Sequence, residues 1–191
     1  MAVWKMFRMS CAVVVACLGW ATWTQAADSV RVGNETLSGQ VTRMTKTEVV
    51  LAQPGGGTRT IPVNQIQWIA WDGEPAMLRS VRTAMEVSRY EDAIASLDRI
   101  KLDTIARPEI QQDIAFYRAA ATAYLALRGT GSIDDAGKLV ADFALNYPDN
   151  YHVWEATRLV ADLLVAKGSV DKAVEYYNQI AQAPWPEYKA R

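Results

Sequence analysis

Ser88-Arg89-Tyr90-Glu91-Asp92-Ala93-Ile94 has two relatives further along the chain, Gly131-Ser132-Ile133-Asp134-Asp135-Ala136 and Gly168-Ser169-Val170-Asp171-Lys172-Ala173-Val174. In each, a small residue ends one helical pattern, an acidic turn opens the next, and an alanine falls where the second helix crosses its neighbour. Acidic side chains suit a helix start because the free amides there carry partial positive charge. The pattern predicts helices over 76–87 and 90–100, 108–127 and 133–146, and 153–167 and 170–181. In the first pair, Ser88 and Glu91 have the order of a capping box, worth roughly 1 kcal/mol. One such pair cannot bury its apolar face, so pairs stack and leave an exposed groove suited to holding another protein.

Upstream the period is that of strands. Val30 and Val32 alternate with Ser29 and Arg31, and runs rich in Val, Ile, Thr and Trp follow over 36–44, 48–52, 58–62 and 66–71. Gly33-Asn34, Thr45-Lys46-Thr47 and Pro54-Gly55-Gly56-Gly57 supply turns between them. So few strands do not make a sandwich, and closing them into a barrel removes exposed edges. Trp68 and Trp71 fall on opposite faces of the last strand, and at least one is expected to pack on the first helix pair. Asp72-Gly73-Glu74-Pro75 marks the change of period, with a proline suited to a first helical turn. The expected class is α+β: an export signal over 1–27, a small five-stranded β-barrel over 28–73, and helical repeats over 74–191.

The leader has Lys5 and Arg8, then the short apolar run Cys11–Trp20, then small residues at Thr24-Gln25-Ala26-Ala27. The run is short for a membrane span, which needs about 20 apolar residues. Cleavage after Ala26 or Ala27 is the first reading, with an uncleaved anchor as its alternative. Val14-Val15-Ala16-Cys17 also has the form of a lipoprotein box, which would leave a lipid on Cys17. Both cysteines lie in this leader, so a processed chain has no disulfide or thiol chemistry. It keeps 18 basic against 21 acidic residues, a net charge of −3. That balance argues against nucleic acid as a partner and leaves membrane contact to the leader or the lipid. The expected location is the periplasm or envelope, or outside the cell.

The helical part resembles the tetratricopeptide repeat family. Ala93, Ala136 and Ala173 match its crossing residue, Gly131 and Gly168 its interhelix glycine with Ser88 standing in, and Ala161 and Pro148 its small and closing positions. The alanine spacings of 43 and 37 exceed the family's period of about 34. Val81 and Ala84 also depart from the small and aromatic residues usual in a first helix. Residues 28–73 resemble SH3-like or Sm-like small barrels through Gly39-Gln40-Val41 and Ile61-Pro62-Val63-Asn64-Gln65-Ile66. The whole order is similar to exported repeat proteins of planctomycete-type bacteria. That resemblance implies an envelope protein, and no activity. Pro184-Trp185-Pro186-Glu187-Tyr188 reads as the opening of a further helix, so either the array continues or its last face docks on something.

No catalytic residues, cofactor or metal site are expected. His152 is the lone histidine, which excludes multi-histidine metal sites, and its place at a helix start suggests a surface role. The glycine run 55–57 lacks the Lys-Ser/Thr of a phosphate loop. Phe116, Tyr117, Tyr124, Trp154, Tyr176 and Tyr177 read as core between helices. Counting from the crossing alanines in the usual repeat arrangement places Arg82, Arg118, Arg128 and Arg158 on the groove side. Arginine forks bind carboxylates in pairs, so these four are the candidate contacts for an acidic or C-terminal carboxylate segment of a protein or peptide partner. The expected function is a non-enzymatic protein-interaction scaffold. Two other readings are a glycan-binding or cell-wall accessory protein using Trp154 or Trp185, and RNA binding through the barrel, which fits poorly with export and negative charge.

Overall fold

The structure, a computed structural model, describes residues 27–186. The leader, with its cleavage and lipidation alternatives, falls outside this range, as do the last five residues.

Five strands come first: β1 Asp28–Val32, β2 Glu35–Met44, β3 Glu48–Ala52, β4 Thr58–Pro62 and β5 Ile66–Ala70. They form one antiparallel sheet in the order β4-β3-β2-β1-β5. Alternation decides which side is buried: Val30, Leu37, Val49, Leu51, Ile61 and Ile69 all point into the core. The long strand β2 serves two neighbours. Its first half pairs with β1 up to Gly39 opposite Asp28, and its second half pairs with β3 from Gln40 opposite Ala52. Gly39 sits where the strand changes partner, and a Cβ there would lie 2.2 Å from the Ala52 carbonyl oxygen. Glycine is required by that close approach.

The expected closure into a barrel is not formed by ladders among the described residues. β4 and β5 are joined by a short 3₁₀ turn, Val63–Gln65, and no ladder links them. The Ile69 carbonyl of β5 instead accepts from Arg82 Nη1 at 3.3 Å, so a helix side chain serves the strand that closure would have covered.

Six helices follow: α1 Ala76–Glu86, α2 Tyr90–Leu97, α3 Pro108–Leu127, α4 Ile133–Asn146, α5 Val153–Ala166 and α6 Val170–Ile180. Each packs on the next in chain order, and α3 also touches α1 and α5. The crossing alanines Ala93, Ala136 and Ala173 are all fully buried, which lets paired helices approach closely. The central helix α3 is buried nearly all round. Ala119, Ala120, Ala121, Ala123 and Ala126 line it and leave room for neighbours on several sides.

The capping box expected at Ser88 is absent. Ser88 has φ +59°, and its amide and that of Arg89 bond back to the Met85 and Ala84 carbonyls, closing the end of α1. Gly168 does the same for α5 at φ +84°, so Ser88 occupies a position that favours glycine. A serine cap does form at Ser132, whose Oγ accepts the Asp135 amide at 3.1 Å.

Sheet and helices share one continuous apolar core. Asp28 of β1, 1% exposed, receives both Nη atoms of Arg107 from the residue before α3. Trp71, just past β5, donates Nε1–H to Asp113 of α3 at 2.9 Å. Trp154 of α5 donates to the Lys46 carbonyl in the β2–β3 turn at 2.7 Å. The sheet therefore packs against α1, α3 and the start of α5.

Candidate functional site

Where the sheet meets α3 and α5 there is a buried polar cluster. Asp113 has no exposed surface, and its Oδ2 accepts from Trp71 Nε1 and lies 3.4 Å from the Tyr151 hydroxyl. Its Oδ1 faces His152 Nε2 at 3.9 Å, and neither atom has a hydrogen-bond partner among the described residues. His152 is 5% exposed and stacked on Phe116 at 3.6 Å, which corrects its expected surface role. The ring, at the N-cap of α5, lies against Phe116 of α3. Burial pushes the Asp113 carboxyl up to about 6, although His152, Trp71 and Arg82 pull it down. Burial likewise raises the Tyr117 and Tyr151 hydroxyls far above their usual range, so both stay protonated.

The four arginines do not form one patch. Arg82 is 6% exposed and held by both oxygens of Glu74 and by the Ile69 carbonyl. The expectation put it on an open groove; the sheet covers that part. Its Cζ also lies 5.5 Å from the Trp68 ring centroid, so both Trp68 and Trp71 reach the helices. Arg118 turns to the end of α2 and pairs with Asp98 at 2.7 Å.

Arg128 and Arg158 are joined through two tyrosines. Arg128 lies over Tyr90 at 4.4 Å and bonds the Ser88 carbonyl at 3.0 Å. Tyr90 stacks on Tyr124 at 4.8 Å. The Tyr124 hydroxyl accepts from Arg158 Nη2 at 2.9 Å and donates to Glu155 Oε1 at 3.2 Å. Arg158 also pairs with Asp162, which accepts from the Tyr177 hydroxyl at 2.7 Å. Burial, with the Asp162 bond, raises that hydroxyl to about 12. The result is a polar strip running from the α1–α2 turn to α6, and the exposed Val165 and Val174 lie one helical turn from its Asp162 and Tyr177.

Chemically this strip offers two guanidiniums, two carboxylates and tyrosine hydroxyls already bonded to each other. It can exchange those bonds for a ligand's carboxylates or amides. Among the described residues no group of three or more histidine, cysteine, aspartate or glutamate side chains is placed to hold a metal ion. No helix there is long and apolar enough to cross a membrane.

Phe116, Tyr117 and Trp154 are buried, as their helical spacing suggests, and Tyr177 is half-exposed. The residues that sequence reasoning passed over are Arg107 and Asp113. Asp113 carried a readable signal: it lies on the face of Ile110, Ile114 and Tyr117 at helical spacing, where an acid must find partners.

No protein-family model, curated protein or solved structure matches the chain.

Proposed function

We propose that this chain is a non-enzymatic protein-interaction scaffold of the cell envelope. In this reading the helices are a tetratricopeptide-like array, and the sheet is a small SH3-like or Sm-like barrel seated in the array's inner side. A protein or peptide segment binds along the strip that the sheet leaves open.

One observation carries the reading. The sheet packs on α1, α3 and α5 at Arg82, Asp113 and Trp154, while beyond Tyr124 the side chains of Arg158, Asp162 and Val165 on α5 stay open to solvent. A face left open beside a covered one gives a ligand a fixed site. Arg128 and Arg158 favour a ligand with carboxylates, through charge-assisted bonds.

The glycan reading finds less support. Trp154 is 8% exposed with its N–H committed to Lys46, and Trp185 is half-buried against the core, which reduces the ring surface left for stacking.

The test is affinity capture from the native envelope fraction with the processed chain as bait. The wild type should enrich a partner that Arg158→Glu and Val165→Glu each fail to hold, with all three proteins equally folded by circular dichroism. Identical capture by all three removes the proposed site.

A further inference from the structure

A second surface lies between α1 and α2, and its end at Val87 and Arg89 adjoins the turn where the strip begins. α1 and α2 are antiparallel, and between them runs a cleft of about 560 Å³. Its floor is small: Ser80, Thr83 and Ala84 from α1, Ala95 and Ser96 from α2. Three arginines rim it, Arg79, Arg89 and Arg99, against one acid, Asp92. Arg89 pairs with Asp92, and both are exposed. The guanidiniums of Arg79 and Arg99 have no ion-pair or hydrogen-bond partner among the described residues. Because the hairpin is antiparallel, the start of α1 adjoins the end of α2, and these two unneutralised guanidiniums share one end of the cleft. The other end carries Val87, 58% exposed.

These features specify a ligand. Two like charges side by side repel, and an incoming carboxylate relieves that repulsion while making forked hydrogen bonds. The small floor lets a helix come close to both α1 and α2, as large side chains would not. From Arg79 to Val87 is two turns, about 12 Å. We infer that this cleft docks an acidic helix of a partner protein, its carboxylates on Arg79 and Arg99 and an apolar side chain on Val87. The inference deepens the scaffold reading and rests on it: the chain would hold one segment on the strip and a second in this cleft. The cationic excess of the cleft, in a chain whose net charge is −1, is what argues for an acidic partner.

The experiment uses the whole processed chain and a fluorescein-labelled helical peptide of glutamate and alanine, about four turns long. A matched peptide with glutamine for glutamate is the control. Anisotropy at low salt should show binding of the glutamate peptide, weakened about tenfold by Arg79→Glu/Arg99→Glu and by raised salt. The glutamine peptide should not bind. Ser96→Trp, which fills the cleft without touching charge, should abolish binding, and Arg158→Glu should leave it intact. That last arm separates this cleft from the strip: loss there with retention in the cleft variants would transfer the acidic ligand to the strip and overturn the inference. Equal binding of the two peptides would overturn it as well. So would anionic vesicles binding the chain through Arg79 and Arg99 while the glutamate peptide does not, or self-association that the double variant abolishes.

Discussion

Arg107 grips Asp28 with both ends of its guanidinium, Nη1 to Oδ1 at 2.6 Å and Nη2 to Oδ2 at 3.0 Å, and so ties the first strand to the entrance of α3. The same carboxylate accepts the amides of Val41 and Asp72 at 2.8 and 2.9 Å. Arg107 also lies 4.7 Å from the Trp71 ring centroid. Four pieces of chain, distant in sequence, thus meet on one buried acid.

Arg107→Ala should therefore cost about 2–3 kcal/mol, below the full cost of breaking a buried pair because Arg107 is partly solvated. Urea denaturation followed by tryptophan fluorescence measures it. Burial raises the Asp28 pKa, but the Arg107 bond and the two amides outweigh that and hold it below 3.8. A depressed acid stabilises the fold above its unfolded pKa and loses that contribution as pH falls through the folded value. Asp28→Asn should remove the part of the acid-induced loss that begins below about pH 4.

Asp113 has the opposite sign. Its folded pKa of about 6 exceeds the ordinary 3.8, so between those values the folded chain binds the extra proton. Stability should fall as pH rises through that window and level off above it, by up to about 3 kcal/mol for this group. His152, Arg82, Glu74, Tyr117 and Tyr151 are the charged or titratable neighbours of the site. Denaturation across a pH series should show this slope in the wild type and its absence in Asp113→Asn.

Two backbone positions should respond in opposite directions. Ser88→Gly relieves a left-handed conformation that costs an L-residue roughly 1 kcal/mol, and should raise stability by about 0.5 kcal/mol once the unfolded chain's added freedom is counted. Gly39→Ala drives a methyl into the Ala52 carbonyl and should cost about 2–3 kcal/mol by forcing β2 from β3. Thermal melts of both variants give the two signs side by side.

Trp154→Phe keeps most of the apolar ring and loses the bond to the Lys46 carbonyl. It should cost about 1–2 kcal/mol. Amide exchange should quicken over Thr45–Glu48, the turn that Trp154 holds.

The strands and helices were readable almost to the residue, because the apolar period changes from two to 3.6 at Asp72-Gly73-Glu74-Pro75 and glycines punctuate the helices. Local pattern carries that much. It did not distinguish the two uses of Ser88, since a residue closing one helix stands where a cap for the next would stand. It placed Arg82 on the inner side and could not foresee that the sheet would cover it. Burial of His152 depends on α3 lying against α5, and Trp71 and Asp113 meet across 42 positions. Such meetings are set by tertiary packing, and a single sequence shows them only as an acid on an apolar helix face. Closure of the barrel was argued from unpaired strand edges alone, and a side chain such as Arg82 can serve an edge without a ladder.

Native-state hydrogen exchange under rising urea most directly tests whether the sheet and helices α1, α3 and α5 share one cooperative core. Core amides of β2, β3, α3 and α5 should converge on one global opening, and Arg107→Ala should lower all of them by the same amount. Sheet amides that open separately at lower urea, with α3 and α5 unaffected by Arg107→Ala, would contradict the account.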